Sequence, residues 1–478
     1  MSSGSVWIGI DLGTQSVRVM AVDETGSVLA MSSQPLTARR SGREHTQNPD
    51  EWWSAVCTCC KQVMSRVAAE RVGGLAVDAT SGTILLIDQH LRPVSEALMY
   101  DDGRAQDEAR EVQVQPTWAL PKVLWLWRRT QSRDREVRLA HQNDFINWRL
   151  AGTPLATDSS HSLKTGYKLQ EDRWPFDTFR KVGLPEPLFP EVVAPGSILG
   201  TVSAGAAAET GLPAGLPIIA GMTDGCAAQI AAGAVCEGNW NSVLGTTLVL
   251  KGVTGRLLHD PRGAVYSHLA PNGKWLPGGA SSTGAGIIAK RFAKEHLEQL
   301  EAEAGERGPA EVVVYPLHST GERFPFVAPL AEYFELGTPR DTVELYRAIL
   351  EGVAFIERLC FDYMKMLGAS LAGTFSISGG AVNNQLWNRI RASVLGRTLT
   401  IPKVTEPAFG MAVLASSVTS SLEEAVSRMV SPGATVEPAF GFQANYSERY
   451  ERLLRELERR GWLPGALASY SLEQAGTA

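Results

Sequence analysis

Asp11 lies in the stretch V-W-I-G-I-D-L-G-T-Q-S-V-R-V-M-A-V, residues 6–22, and the residue types around it are those of a phosphate-binding turn. Apolar runs over 6–10 and 17–22 flank Asp11, Gly13, Thr14, Gln15 and Ser16. That pattern predicts a β-hairpin whose turn carries a carboxylate, a glycine and hydroxyls. Gly13 lets the backbone approach a ligand, successive N–H groups can form an anion nest, and Thr14 and Ser16 add donors. Asp11 would repel a phosphate unless a cation lay between them. An ordinary hairpin with a polar turn is the competing reading.

A second carboxylate, Asp224, lies in G-M-T-D-G-C, residues 221–226, after an apolar run at 217–220 and before the small residues 227–232. This is a strand-to-helix junction, where Asp224 suits helix capping as well as chemistry. Residues 239–253 read N-W-N-S-V-L-G-T-T-L-V-L-K-G-V, and Leu244-Gly245-Thr246 echoes Leu12-Gly13-Thr14. The repeat suggests two related halves, each offering one phosphate-binding turn; a chance match of so short a unit is the rival explanation. The domain boundary is set near Lys251. A strand over 374–378 runs into Gly379-Gly380, and a helix over 385–395 follows, ended by Gly396. Strand, paired glycine and helix can present amides to a nucleotide, or simply make a tight turn.

Other elements must hold these residues in place. A strand over 74–77 leads into Asp78-Ala79-Thr80-Ser81-Gly82-Thr83, a second hydroxyl-rich loop, and 84–87 continues as strand. A third strand spans 27–33, and a helix with Asp50 at its cap buries Trp52, Val56 and Val63. Helices are expected at 121–129, 143–150 and 342–366, the last needing a close helix contact at Gly352. The stretch 158–167 reads as a polar loop near a site, 278–286 as a glycine-rich turn before a helix, and 445–462 as a charged surface helix.

The 478 residues are too many for one typical core, so two domains are expected. The chain is 44% hydrophobic and 20% charged with net charge −6, which gives no electrostatic footprint for nucleic acid or an anionic membrane. No basic segment precedes an apolar core at the start, so no secretory signal is read. Residues 216–234 are interrupted by Asp224, Gln229 and glycines, which argues against a membrane span. The six cysteines have no zinc-ligand spacing and read as reduced thiols in a cytoplasmic protein.

Five segments together resemble the FGGY family of carbohydrate kinases, within the actin–hexokinase–Hsp70 superfamily. They are 10–16, Lys122-Val123-Leu124-Trp125-Leu126, 221–225, 244–247, and 379–387 continued by Glu406-Pro407-Ala408-Phe409-Gly410. The resemblance spans roughly residues 6–416. It implies an α/β protein of two actin/hexokinase-like (ribonuclease H-like) domains with a catalytic cleft between them. Residues 1–250 would bind the sugar and carry the first phosphate loop and catalytic aspartate; residues 251–478 would bind adenosine.

By the same resemblance Asp224 is the catalytic base, and Asp11 is the carboxylate near Mg²⁺ and the sugar. Gln15, Ser16 and Ser81 are sugar-facing, as Asp78 also is unless it caps a turn. Thr14 belongs to the first phosphate loop and Gly245 with Thr246 to the second. Gly379, Gly380 and either Asn383 or Asn384 form the adenosine site, with Gly284 facing the nucleotide. The implied cofactors are ATP and Mg²⁺ and the implied partners a small sugar and ATP, with no nucleic acid and no membrane; monomer and homodimer stay open. Asp78-Ala79-Thr80 is similar to ribulokinase-type members, so D-ribulose ranks before D-xylulose. The rivals are an actin-like ATPase and a catalytically silent sugar sensor. Gln15 stands where many members have Ser or Thr, and Ala119 where the signature prefers Pro, Ser or Thr.

Overall fold

The computed structural model describes residues 4–130 and 136–476. The chain divides into two units. Unit 1 is Met1–Ala231 with His268–Gly273 and Glu406–Ser431; unit 2 is Ala232–Ser267, Lys274–Thr405 and Pro432–Ala478. The change of unit thus comes at Ala231, not near Lys251. Lys251 lies inside the strand Leu248–Gly252, which is paired along its whole length with Trp240–Leu244, and a cut there would split a hairpin.

The opening stretch folds as the hairpin expected of it. Val6–Leu12 pairs antiparallel with Ser16–Asp23, Leu12 lying opposite Val17. Val6–Leu12 also pairs in parallel with Val72–Ala79, which sets Asp11 directly beside Asp78. The six-stranded sheet of unit 1 runs Ile198–Thr201, Pro217–Ile219, Val72–Ala79, Val6–Leu12, Ser16–Asp23, Val28–Pro35. Strand Val6–Leu12 is buried at every position, as a strand covered on both faces must be.

Unit 2 repeats this order. Its sheet runs Pro432–Val436, Leu399–Pro402, Phe375–Ser378, Trp240–Leu244, Leu248–Gly252, Trp275–Ser281, with Tyr266–Leu269 added at the edge. The pairing senses match strand for strand: the central strand is antiparallel to the one after it and parallel to Phe375–Ser378. The Gly-Thr echo in the sequence is therefore the trace of a whole repeated sheet. Each unit has its own apolar core, around Ile8, Trp52 and Val77 in unit 1 and around Trp240, Ile349 and Leu454 in unit 2.

Three glycines set how closely unit 1 packs behind Asp224. A Cβ on Gly9 would lie 1.7 Å from the Ala408 carbonyl of the helix Pro407–Ser416. One on Gly410 of that helix would lie 2.0 Å from the Ala227 carbonyl of the helix Asp224–Ala231. One on Gly221 would lie 1.9 Å from the Val77 carbonyl. The Pro407-Ala408-Phe409-Gly410 segment is thus a packing motif, small where helix meets strand and helix.

Several expectations are corrected. The helix Pro49–Met64 is capped by Asn48, whose side chain accepts from the Asp50 N–H at 3.1 Å; Pro49 fills the first position and Asp50 follows it. Gly278 and Gly279 lie within the strand Trp275–Ser281, because a side chain at Gly279 would meet the Phe324 ring at 2.5 Å. Gly352 does make a close contact, but with strand Val313–Tyr315: its Cβ would lie 2.2 Å from the Val314 carbonyl. The stretch 158–167 is a pair of short buried helices rather than a loop. Helix Gln443–Arg459 buries Tyr450, Leu453 and Leu457 and so belongs partly to the core. No described helix is long and apolar enough to cross a membrane.

Candidate active site

Three aspartates of unit 1 face one another. Asp11 is the penultimate residue of the central strand, Asp78 is its register partner on the parallel neighbour, and Asp224 opens the helix Asp224–Ala231. Thr223 bridges Ala79, which brings the third residue up to the other two. Asp11 is 3% exposed and Asp78 fully buried, whereas Asp224 is half-buried. Helix capping does not account for Asp224: it is itself the first helical residue, so the cap position precedes it, and its Oδ1 accepts from the adjoining Gly225 N–H at 2.7 Å.

The electrostatics of the cluster follow from this crowding. Burial raises the pKa of Asp11, the charge of Asp224 adds to the rise, and hydrogen bonding to Asp78 and the Arg18 guanidinium oppose it. Arg18 Nη1 reaches Asp11 Oδ2 at 3.2 Å from the facing strand. Asp78 is pushed well above the ordinary carboxylate range by burial and then by Asp11 and Asp224. Among the described residues neither Asp78 oxygen has an N–H or hydroxyl donor. A neutral Asp78 can donate its own proton to Asp11, which resolves both problems at once. Asp224 is the most exposed of the three.

The remaining candidate residues of unit 1 lie around this cluster. In the turn, the Gly13 N–H donates to the Ser16 carbonyl at 3.1 Å, and the Leu36 N–H donates to the Gln15 carbonyl at 2.8 Å. Gln47 Nε2 donates to the Thr14 carbonyl at 2.7 Å. The Gln15 side chain is exposed, and Thr14 and Ser16 are half-buried. Ser81 Oγ is buried without a partner. Tyr100, not among the residues singled out from the sequence, lies near Asp224 and Thr14: burial, Asp101 and Asp224 raise its pKa, and Arg40 and Thr14 oppose the rise.

The 78–83 loop is braced from beneath. Thr80 donates through Oγ1 to Gln142 Oε1 at 2.6 Å. Lys122 is fully buried and donates to the carbonyls of Gly82 and Met99, each at 2.7 Å. Burial pulls its pKa down to about 7. His161 Nδ1 bonds Asp158 Oδ2 at 2.7 Å, and its Nε2 lies 3.3 Å from the Ala79 carbonyl. Burial lowers the His161 pKa, but Asp158 outweighs it and the net shift is upward. The Thr223 N–H, next to Asp224, donates to Ser160 Oγ at 3.2 Å. One short segment, 158–161, therefore supports both the Ala79 end of the loop and the approach to Asp224.

Unit 2 carries the other candidates. The turn joining Trp240–Leu244 to Leu248–Gly252 holds Gly245 and Thr246, and the Gly245 N–H donates to the Thr247 carbonyl at 3.1 Å. Thr246 is exposed. Gly284 has a packing reason to be glycine: its Cβ would lie 2.5 Å from the Thr246 carbonyl. Gly379 has φ +89° and would press its Cβ to 2.6 Å from the Leu244 carbonyl, so the backbone requires it. Gly380 is different, since a Cβ there meets nothing within 4 Å. Asn384 is already committed, capping the next helix through Trp387 N–H at 2.7 Å and donating to Tyr346 Oη at 2.8 Å. Asn383 is exposed.

Residues 6–231 match the N-terminal domain, and residues 241–418 the C-terminal domain, of the FGGY family of carbohydrate kinases. The chain belongs to this family. It is a sugar kinase with the family's two-domain fold. It is 28% identical to the xylulose kinase of Escherichia coli (strain K12), over 86% of this chain and 89% of that protein. It is 24% identical to the L-xylulose/3-keto-L-gulonate kinase of the same organism, over 93% of this chain and 95% of that one. The xylulose kinase structure from Rhodospirillum rubrum superposes with TM-score 0.85 at 24% identity, covering 95% of this kinase and 99% of that chain.

Proposed function

We propose that this kinase transfers the γ-phosphoryl group of ATP to a hydroxyl of a ketopentose, with Asp224 as general base. The carrying observation is the carboxylate cluster, in which Asp224 is the least buried of three neighbouring aspartates and opens a helix beside the other two. A sugar hydroxyl is a poor nucleophile at neutral pH, and a carboxylate within hydrogen-bond reach takes its proton as the O–P bond forms. Asp11, Gln15, Ser16, Ser81 and Tyr100 would orient the sugar, and Lys122 and Gln142 hold the loop that presents Ser81.

Nucleotide binding fits the residues present. Cβ atoms on Gly380 and Gly245 would have room, 4.0 Å at the nearest, so neither glycine is required by packing alone. Open space beside backbone amides suits a nucleotide that must approach closely. Thr14, Gly245 and Thr246 would hold phosphates, and Gly379, Gly380 and Asn383 the adenosine. Among the described residues no group of three His, Cys, Asp or Glu could hold a metal ion. Mg²⁺ would then arrive with the phosphates, with Asp11 as the protein's carboxylate toward it, as this ion commonly binds. When bound, Mg²⁺ neutralises charge developing on the transferring group.

The Asp78-Ala79-Thr80-Ser81 loop favours D-ribulose as acceptor; D-xylulose is the second reading, supported by relatives named xylulose kinase. ADP release measured across a panel of ketoses tests both. Asp224→Ala should keep the fold and ATP binding while losing roughly two orders of magnitude or more in rate. Near-normal turnover by that variant would remove Asp224 from the base role, and sugar-independent turnover would favour an ATPase.

A further inference from the structure

Unit 2 contains a cavity of about 170 Å³ that none of the proposed sugar or nucleotide residues lines. Arg358, Lys365 and Arg397 stand on its wall with a single carboxylate, Asp362. Asp362 faces Arg358 and Lys365 but offsets only part of the charge of three cations. Its Oδ2 accepts from Tyr450 Oη at 2.7 Å, and burial raises its pKa, so the charge is both engaged and disfavoured.

The ring contacts and hydrogen bonds that hold the three cations come from neutral groups, while Asp362 acts on Arg358 and Lys365 through space. Arg397 lies 4.6 Å from the centroid of the Phe375 ring, and no carboxylate among the described residues pairs with it. Its pKa is lowered by burial alone. Arg358 lies 4.6 Å from the Tyr450 centroid and donates to the Gln474 carbonyl at 3.3 Å. Lys365 Nζ donates to Gln474 Oε1 at 2.6 Å. An arginine stacked on a ring keeps its N–H edge free for an anion, and the fork geometry matches phosphate. Desolvating a guanidinium without a counter-charge is unfavourable, and an anion in the cavity would reverse that.

We propose that this cavity is a binding site for a small phosphate-bearing anion, separate from the catalytic residues. Three cations suit a dianion rather than a single carboxylate. Phe375, Leu371 and Val394 add apolar wall against which a short carbon skeleton could rest. Inorganic phosphate and a sugar phosphate share the chemistry, and the test separates them.

The experiment is calorimetric titration of the full chain with inorganic phosphate and with a pentose 5-phosphate, at ionic strength held constant with potassium chloride. Arg397→Met keeps an aliphatic cover on Phe375, and the exposed Lys365→Gln provides a second variant that packing does not endanger. Binding of either probe to the wild type, weakened by about tenfold or more in both variants, is the expected result. Tighter binding of the pentose phosphate assigns the site to a sugar phosphate; equal binding assigns it to phosphate itself. Any binding at the proposed phosphate loops would persist in both variants. Equal affinity in wild type and variants, or no binding of either probe at millimolar concentration, would overturn the proposal.

Discussion

Asp78 shows why three carboxylates can share so little space. Its register partner is Asp11, its surroundings are closed to water, and neither oxygen finds a donor among the described residues. Its folded-state pKa stands above the unfolded value of 3.8. The unfolded chain therefore releases this proton first, and stability falls as pH rises from about 4 through the folded value. Asp78→Asn keeps the shape, can donate to Asp11 and carries no titration. At neutral pH it should be more stable than the wild type, with the difference shrinking as pH falls below about 4; urea denaturation across pH reads it. A second residue-scale expectation concerns Gly380. Since its Cβ meets nothing, Gly380→Val should leave the melting temperature nearly unchanged while raising the KM for ATP.

At the scale of elements, the site depends on how closely three backbones approach. The helix Pro407–Ser416 touches both the Asp11 strand, at Gly9, and the Asp224 helix, at Gly410. Gly9→Ala forces its methyl into a carbonyl at 1.7 Å, so the strand or the helix must shift. A destabilisation of about 2–3 kcal/mol is expected, with a fall in kcat because Asp11 and Asp224 move apart. Lys122 acts on a second element, tying the 78–83 loop to Met99. Lys122→Met would leave the Gly82 carbonyl without its donor and the Met99 carbonyl with only the Asp102 N–H, for a loss of about 1–3 kcal/mol and a raised KM for the ketose. The apolar pattern of the helix containing Lys122 was plain in the sequence. What its ammonium held was not, because Gly82 and Met99 lie 40 and 23 residues away.

The whole molecule is a duplicated sheet, and the two copies are proposed to serve different ligands. Hydrogen exchange would display that division. A ketose alone should protect amides near 8–12 and 78–83 of unit 1. ADP alone should protect the 244–247 turn and the segment 379–385 of unit 2. Protection of unit 1 by ADP with none in unit 2 would contradict the assignment. The duplication itself was only half legible. Two Gly-Thr turns betrayed it, but the partner strands Val72–Ala79 and Phe375–Ser378 share no comparable motif. The true change of unit at Ala231 escaped notice because a boundary is decided by which strands pair, and pairing leaves no local mark.

The amino-acid order alone determined the two Gly-Thr hairpins and the family, because both are written in short segments of neighbouring residues. Tertiary structure decided that Asp78 stands beside Asp11, that Asn384 caps a helix and bonds Tyr346, and that Gly284 serves packing. It also decided that the 158–161 segment is a buried brace and that Arg397 lacks a carboxylate partner among the described residues. Each of these depends on distance between residues far apart in the chain, and on the burial that only folding creates.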